Sequence, residues 1–371
     1  MAYLVTFALT FLLVYLVSRR TAALPQRALT ARTPGGIVLR QRQLRCYLLF
    51  LLAVMPVILL SALREGIGTD YYYTYTPRFL EILQGERTYY EVGFYLFNRL
   101  IGLFTSEPQW VFITTSLIFG VCVFTVYYRY VEDLPFCVLF FLVSGEYFIS
   151  LNNLRQAMAS AILLAGYAFL RKKQWIRFGI LTLLCTTLHQ SMLVFAAVLV
   201  ILVIAQRFPL DKLLIVGGAA AAAILLLMKL SPQLLAAVLP ERLAYYVKYD
   251  IFVSSTVGLL RTVFNIAVLC LLLYCRYAGR NKQLDTFVIL QFLAVIVCCF
   301  DGMIPATYRI LRLFTFWQLL GVPLAAETFT KRLYTRRVIK GALLVAYGAL
   351  CIYSIVILGD ESVLPYRSIF G

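Results

Sequence analysis

Residues 109–150 read QWVFITTSLIFGVCVFTVYYRYVEDLPFCVLFFLVSGEYFIS and contain two apolar runs, residues 109–128 and 135–150, on either side of a short charged link. An α-helix needs about 20 apolar residues to cross the hydrocarbon core of a bilayer. The link between the runs is too short to hold a folded element of its own. The order of run, link and run therefore predicts a helical hairpin in a membrane.

This pattern continues in both directions along the 371 residues, of which 62% are hydrophobic and only 14% are charged. A water-soluble domain cannot hide that much apolar surface from water. We predict an all-α, polytopic integral membrane protein, with a single transmembrane domain over residues 1–371 and about 12 spans. The predicted spans are residues 3–18, 46–62, 109–128, 135–150, 156–170, 175–189, 190–206, 213–229, 255–275, 285–300, 308–326 and 338–358.

Lysine and arginine predict the orientation of these spans, because both residues are retained in cytoplasmic loops. One side of the predicted bundle carries 22 of the 34 cations and five of the 17 acids, whereas the other side carries 12 of each. The whole net charge of +17 therefore lies on the side that we predict to be cytoplasmic. Because this charge marks topology, it gives no reason to expect a nucleic-acid partner. Both chain termini are predicted to face outward.

Two predicted outer loops are long enough to form structure of their own. In residues 63–108, Pro77 can begin a short helix, and apolar residues recur at helical spacing from Val92 to Leu103. Residues 230–254 have a similar composition. We predict short interfacial or re-entrant helices in both loops.

Arginines occur at the outer ends of several predicted spans. Arg155 lies in SLNNLRQAMAS, in the first turn of a span that enters from outside. Arg309 and Arg312, in ATYRILRLF, repeat this arrangement, and Arg261 does so more weakly. A guanidinium beside the free N–H groups of a helix N-terminus forms a binding site for anions. The alternative is that these are interfacial arginines whose side chains extend to water.

His189 is the only histidine of the chain and ends the predicted span ILTLLCTTLHQS. A neutral imidazole at this place can accept the proton of a hydroxyl group and so act as a general base. The alternative is a structural hydrogen bond to a neighbouring helix at the membrane edge. A single histidine excludes an imidazole-rich metal site, and we predict neither a metal nor a cofactor.

Asp70 and the tyrosines that follow it, in GIGTDYYYTY, lie in the first outer loop. Asp70 can orient a base or bind a sugar hydroxyl, or it can cap a turn of the loop. Tyr71 and Tyr73 have rings that suit stacking on carbohydrate, although such residues also form the aromatic belt of membrane proteins. Topology predicts that Asp70, His189 and the arginines share the outer face.

Four strings of this sequence, in this order, resemble a known family. They are ALREGIGTDYYYTY at 62–75, YYEVGFYLFNRLIG at 89–102, SLNNLRQAMASAILLAGYAFLRKKQW at 150–175 and LLCTTLHQSML at 183–193. Their order and spacing resemble the EpsG family of bacterial polysaccharide polymerases, which are Wzy-like, over residues 60–325. The most specific elements are GTDY at 68–71, LRQ at 154–156 and H-x-S at 189–191.

The resemblance implies an integral glycosyltransferase of the bacterial cytoplasmic (inner) membrane that extends exopolysaccharide or capsule at the outer face. Such an enzyme transfers the growing glycan from polyprenyl diphosphate, such as undecaprenyl diphosphate, to a lipid-linked acceptor repeat. It needs no nucleotide sugar and no obligatory metal. Its partners would be the lipid-linked oligosaccharide, the lipid bilayer and, in the same pathway, a flippase and a chain-length regulator.

The resemblance also suggests roles for the candidate residues. Arg155 and the three other arginines would bind the diphosphate, where negative charge develops as the glycosidic bond breaks. His189 would be the base for the acceptor hydroxyl, with Asp70 assisting it or binding sugar. Tyr71 and Tyr73 would contact the sugar rings. On this interpretation Arg155, His189 and Asp70 are the catalytic residues.

Other classes of function remain open at this point. A transporter or flippase of lipid-linked glycans would also place arginines at the outer face, but it usually has an internal repeat and polar residues at mid-membrane depth. A membrane acyltransferase can use a single histidine, although its soluble donor calls for an opening on the cytoplasmic side. A polyprenyl-phosphate glycosyltransferase with a large loop would use an acidic pair and often a metal.

Overall fold

The computed structural model describes residues 1–21, 34–86, 88–230, 257–303, 307–330 and 332–370. Within these ranges the chain is helical, and its extended pairing is limited to one isolated bridge between Arg64 and Ser368. The predicted all-α fold class is therefore confirmed. The chain divides into two compact units: the first comprises Met1–Leu193 and Leu333–Gly371, and the second comprises Val194–Arg332.

The first unit contains the N-terminal half of the chain and its last long helix. Its helices are α1 (Ala2–Thr21), α2 (Pro34–Ala62), α3 (Thr76–Leu83), α4 (Val92–Gly102), α5 (Gln109–Tyr130), α6 (Leu134–Val143), α7 (Glu146–Asn152), α8 (Leu154–Ala165), α9 (Tyr167–Arg171), α10 (Trp175–Leu188) and α17 (Leu333–Ile352). A π-helical turn precedes α3 at Tyr71–Tyr75, another follows α17 at Tyr353–Ile357, and a 3₁₀ turn follows α10 at Gln190–Leu193.

The second unit is organised around a group of buried amides. Its helices are α11 (Val194–Ile204), α12 (Leu210–Leu230), α13 (Gly258–Ala278), α14 (Asp285–Cys299), α15 (Thr307–Thr315) and α16 (Gln318–Thr328). Gln318 Nε2 donates to Gln291 Oε1 at 2.8 Å and to Asn265 Oδ1 at 3.1 Å, and all three side chains are buried. Because amides in an apolar interior need partners, these bonds hold α13, α14 and α16 together.

Seven helices among the described residues are long and apolar enough to cross a membrane: α1, α2, α5, α12, α13, α14 and α17. Two pairs, α6 with α7 and α15 with α16, pass the same test together but are bent by 53° and 42°. Nine of the 12 predicted spans correspond to these elements. The prediction of a multi-pass helical membrane protein is thus confirmed, with seven to nine candidate spans.

The other three predicted spans, residues 156–170, 175–189 and 190–206, correspond to shorter helices. Gly166 interrupts the first of them between α8 and α9, where a Cβ atom would lie 2.3 Å from Leu181 Cδ2. His189 has an extended backbone, with φ −154° and ψ 118°, and ends α10 after 14 residues. Such helices are shorter than the roughly 20 residues of a usual span. The count of 12 and the outward termini therefore remain predictions.

The first predicted outer loop, residues 63–108, contains the two short helices α3 and α4. Pro77 lies in the first turn of α3, where its missing N–H costs nothing. In α4, Phe94 and Ile101 are buried while Val92 and Leu96 are exposed, so the helix presents an apolar stripe to its surroundings. Such a stripe is typical of a helix that lies against lipid. The second predicted outer loop, residues 230–254, lies outside the described residues beyond Leu230.

The core of the first unit joins this outer loop to the long helices. Helix α5 packs between α2 and α8, and α8 also packs against α10. At the N-terminal end of α5, the rings of Tyr71, Tyr75, Phe94 and Phe112 form one buried cluster with Leu154 from the start of α8. The loop is therefore anchored to the helix that carries Arg155.

Candidate functional site

Arg155 lies in the first turn of α8 and points toward the outer loop. Its Nη1 is 2.5 Å from Glu91 Oε2, and its guanidinium carbon lies 4.7 Å from the centre of the Tyr90 ring. The backbone N–H of Arg155 points at Tyr75 Oη, 3.5 Å away. About a fifth of the Arg155 side chain is exposed, whereas its Nε is buried without a hydrogen-bond partner in the described part of the chain. The guanidinium thus has a donor to spare.

Glu91 connects Arg155 to the region of His189. Its second oxygen, Oε1, accepts the backbone N–H of Gln190 at 3.0 Å. Two donors, a guanidinium and a backbone N–H, therefore converge on one carboxylate. Glu91 is not among the site residues predicted from the sequence, although it is the one acid in the string YYEVGFYLFNRLIG. The sequence feature that could have identified Glu91 is its position directly before the apolar helix α4, in a loop predicted to share the outer face with Arg155.

His189 is held by its own loop. Its Nδ1 lies 2.6 Å from Ser191 Oγ and accepts the backbone N–H of Ser191 at 3.3 Å. A neutral imidazole carries its proton on one nitrogen only, so an Nδ1 that accepts an N–H implies a proton on Nε2. The H-x-S element thereby orients the ring and places the lone pair of Nδ1 beside the Ser191 hydroxyl.

Asp70 lies in the same unit but does not contact Arg155 or His189. Its backbone N–H donates to Asn152 Oδ1 at 3.0 Å, and its Oδ1 accepts the Thr74 hydroxyl at 3.2 Å. Asn152 is the last residue of α7, one turn of chain before Arg155. Asp70 is therefore tied to the junction between α7 and α8 that presents the arginine.

The GTDY element begins with Gly68, and the backbone at this position requires glycine. Its φ of +86° lies in the region that favours glycine, and a Cβ atom there would be 2.9 Å from Asn152 Oδ1. A side chain at residue 68 would push Asn152 away from Asp70. The loop and the end of α7 can pack this closely only with glycine at this position.

The two tyrosines selected from the sequence have different surroundings. Tyr71 is buried, its ring stacks on Phe112 at 4.1 Å, and its hydroxyl donates to Gln109 Oε1 at 2.8 Å. Tyr73 is 85% exposed. Of these two rings, only that of Tyr73 lies open to a sugar without movement of the loop.

Burial keeps the phenols around Arg155 neutral. It raises the pKa of Tyr71 to about 12, and it raises the pKa of Tyr75 and Tyr90 as well, although the nearby Arg155 guanidinium opposes both of the latter shifts. Among the described residues that contact Arg155, the one negative group is therefore Glu91.

Arg64 is a buried cation that is not among the site residues predicted from the sequence. It donates to the backbone oxygen of Ser61, at the end of α2, and to that of Leu151 at 3.0 Å, at the end of α7. Its guanidinium carbon lies 5.0 Å from the centre of the Phe112 ring. Among the described residues no carboxylate contacts it, and the negative ends of two helix dipoles take that place.

The cation at Arg64 persists at neutral pH even though burial lowers the pKa of its guanidinium to about 10. It also donates to Ser116 Oγ at 3.3 Å, at the wall of a cavity of about 10 Å³, a volume that would admit about one water molecule. Arg64 thus joins the C-terminal ends of α2 and α7. The sequence feature that could have identified Arg64 is its position as a cation directly after an apolar run.

In the second unit, Arg261 lies in the first turn of α13 and Arg309 in the first turn of α15, whereas Arg312 lies in the last turn of α15. Arg309 Nε donates to Tyr308 Oη at 2.8 Å, and the guanidinium carbons of Arg309 and Arg312 lie 5.6 and 5.2 Å from the centre of the same Tyr308 ring. At the start of α13, Asp301 Oδ2 accepts the backbone N–H of Gly258 at 3.2 Å. Asp301 thus already binds the helix end one turn before Arg261.

The structure therefore joins part of the predicted site. Within the first unit, Glu91 links Arg155 to the loop of His189, and Asn152 links Asp70 to the junction before Arg155. The convergence of these residues with the arginines of the second unit remains a prediction. No three His, Cys, Asp or Glu side chains among the described residues are grouped as metal ligands.

Comparison with known proteins gives one match. A model of the EpsG family matches residues 47–368, which is nearly the whole chain. The matched region begins in α2 and extends past α17, so it contains every site residue described above. No curated protein and no solved structure matches the chain.

Proposed function

The chain belongs to the EpsG family of Wzy-like polymerases, and we propose that it polymerises the lipid-linked repeat units of an exopolysaccharide or capsule. Its candidate spans make it a multi-pass membrane protein. In the proposed reaction the growing glycan leaves its polyprenyl diphosphate and is joined to a sugar of another lipid-linked repeat. The reaction takes place at the outer face of the bacterial cytoplasmic membrane, and no nucleic acid takes part.

The observation that carries this proposal is the anion site formed by Arg155 and the Gln190 N–H. In the protein alone this site is filled by the Glu91 carboxylate. A diphosphate has more oxygens and more charge than a carboxylate, and a guanidinium binds phosphate oxygens through two donors at once. The lipid-linked donor can therefore displace Glu91 from Arg155.

The reaction forms one bond and breaks one. The acceptor hydroxyl oxygen bonds to the anomeric carbon of the donor glycan, the bond from that carbon to the diphosphate oxygen breaks, and the hydroxyl proton passes to a base. Negative charge grows on the diphosphate as it leaves. Arg155 stabilises the transition state because its donors meet the charge where it develops. Arg261, Arg309 and Arg312 are proposed to bind the remaining phosphate oxygens.

His189 is the proposed base, and its contact with Ser191 suggests the path of the proton. Since the lone pair of Nδ1 faces Ser191 Oγ at 2.6 Å, the hydroxyl of Ser191 can pass its proton to the ring and take one from the acceptor. Asp70 and the exposed Tyr73 are proposed to bind the sugar. Tyr71 is buried and supports the loop by packing its ring on Phe112.

A flippase of lipid-linked glycans is the second candidate. The observation that favours it is the buried amide group Asn265, Gln291 and Gln318, because polar residues inside candidate spans are typical of transport paths. These amides, however, bond to one another across three helices, which suits a structural role. An acyltransferase would need a cytoplasmic opening, opposite to the proposed site.

Deletion of this protein tests the proposed function. We expect the deletion strain to accumulate single lipid-linked repeat units on the outer leaflet and to make no long polymer. Plasmid-borne wild type should restore a ladder of chain lengths on a carbohydrate gel. Repeat units confined to the inner leaflet would indicate a flippase instead, and an unchanged ladder in the deletion strain would exclude the polymerase.

Cysteine labelling tests the proposed orientation with a matched pair of tyrosines. Tyr89 in the outer loop is 82% exposed and Tyr334 at the start of α17 is 80% exposed. In intact cells, a membrane-impermeant maleimide should label Tyr89→Cys, while Tyr334→Cys should react only after lysis. The wild-type chain with its nine cysteines gives the background. The reverse pattern would place the anion site in the cytoplasm and exclude the proposed reaction.

A further inference from the structure

The segment after α17, Gly359–Ile369, packs against the loop that joins α2 to the site. The backbone N–H of Glu65 donates to Arg367 O at 3.1 Å, and that of Ile369 donates to Leu63 O at 3.1 Å. Gly68, in the GTDY element, donates to the carbonyl of Ser362 at 3.2 Å. The segment therefore follows the loop as far as the residues of the site.

Glu361 makes the contact that reaches the site. Its Oε2 accepts the amide N–H of Asn152 at 2.7 Å. The other end of the same amide, Asn152 Oδ1, accepts the Asp70 N–H and the Thr69 hydroxyl. Only the NH₂ group can donate to a carboxylate, and only the oxygen can accept an N–H, so the two contacts fix one orientation of the amide.

The backbone of the segment is strained where this contact forms. Glu361 and Ser362 have φ values of +69° and +50°, in the region that favours glycine. Residues keep such a conformation when the surrounding structure holds them there, and these places often coincide with functional sites. Here the strained pair presents Glu361 to Asn152 and the Ser362 carbonyl to Gly68.

Asn152 lies just before the helix that carries Arg155. Asn152 ends α7 and Leu154 begins α8, so one residue separates the fixed amide from the helix that carries the arginine. A rotation at this junction would change the distance between Arg155 and Glu91. Arg64 holds the preceding carbonyl, that of Leu151, but it does not hold the Asn152 side chain.

We propose that segment 359–369 supports the catalytic site from outside it and that Glu361 is a positioning residue, which acts through Asn152 to aim Arg155 at the diphosphate. This inference rests on the proposed polymerase function. Glu361 does not touch the substrate in this role. It keeps the junction between α7 and α8 in the conformation in which Arg155 meets the leaving group.

The experiment compares variants of the full-length protein in nanodiscs, supplied with lipid-linked repeat units isolated from the deletion strain. We expect Glu361→Ala to lower turnover per folded molecule at least tenfold. Glu361→Gln keeps an oxygen that accepts the Asn152 N–H, so its turnover should stay within about twofold of wild type. Glu107→Ala, which removes an exposed outer-loop acid with no contact to the site, is the matched control.

A second test exchanges the amide of Asn152 and the carboxylate of Glu361 between the two positions. It does not depend on the folding of Glu361→Ala. Asn152→Asp places two carboxylates together and should lose as much activity as Glu361→Ala. The double variant Asn152→Asp, Glu361→Gln restores a donor opposite an acceptor, while residue 152 still accepts the Asp70 N–H. We expect it to recover most of the lost turnover.

Arg155→Ala, measured in the same assay, separates this inference from the proposed function. An inactive Arg155→Ala together with a fully active Glu361→Ala would overturn the role of Glu361 alone. A double variant no better than Asn152→Asp would do the same. If Arg155→Ala itself polymerised normally, the anion site and the inference that rests on it would both be wrong.

Discussion

Replacement of Arg155 by alanine should stop polymer formation, with turnover reduced by about 100- to 1,000-fold, the usual effect of removing one donor to developing charge. The physical reason is that the leaving diphosphate gains charge in the transition state, and among the residues that the structure describes Arg155 is the one cation in contact with Glu91. Arg155→Lys should also lose much of the activity. A lysine ammonium can meet one oxygen but does not offer the paired donors of a guanidinium.

The measurement is turnover per folded molecule with isolated lipid-linked repeats, together with the chain-length ladder in cells. Arg99→Ala is the matched control, because Arg99 lies exposed in the last turn of α4, in the same outer loop. Glu91→Gln, combined with Arg155→Ala, removes the unpaired carboxylate and should restore any protein lost from the membrane without restoring activity. Normal turnover in Arg155→Ala would mean that Arg155 is an interfacial arginine whose side chain extends to water.

The sequence predicted the ends of helices better than the contacts between them. Arg155 and His189 were selected because each lies at the outer end of an apolar run, and the structure places them at the start of α8 and the end of α10. Glu91 could not be predicted in this way as the residue that contacts Arg155 and the loop of His189. Its contact with Arg155 depends on how α4 packs against α10, where a Cβ atom on Gly93 would lie 2.2 Å from Thr187 Oγ1. No periodicity of a single helix contains that information.

The same limit applies to the spans and to the buried arginine. Apolar runs predicted α5 and the C-terminal end of α2 closely, because length and composition alone decide whether a helix can cross a bilayer. Helix α2 begins at Pro34, well before the predicted start of that span at residue 46. The apolar runs did not predict the break at Gly166, where α8 and α10 approach each other closely. Arg64 was visible as a cation after a span, but its contact with the Leu151 carbonyl comes from a helix that is distant in the sequence.

Replacement of His189 gives the second large effect that we expect. If His189 is the base, His189→Ala should lower polymer formation by about 100- to 10,000-fold, the usual contribution of general-base catalysis, while the lipid-linked donor still binds. His189→Gln should be nearly as inactive. Glutamine can keep a hydrogen bond to Ser191, but it cannot accept the proton that the acceptor hydroxyl loses.

The structural role predicts a different pattern for the same two variants. If His189 only holds the loop through Ser191, then His189→Gln keeps that bond and remains active, while His189→Ala lowers the amount of folded protein instead of its turnover. Ser191→Ala adds a further distinction, since it removes the hydroxyl of the proposed proton path and leaves the imidazole in place. The measurement is turnover per folded molecule of the purified variants. Near-normal turnover in His189→Gln would remove the histidine from the mechanism and leave Arg155 to act by charge stabilisation alone.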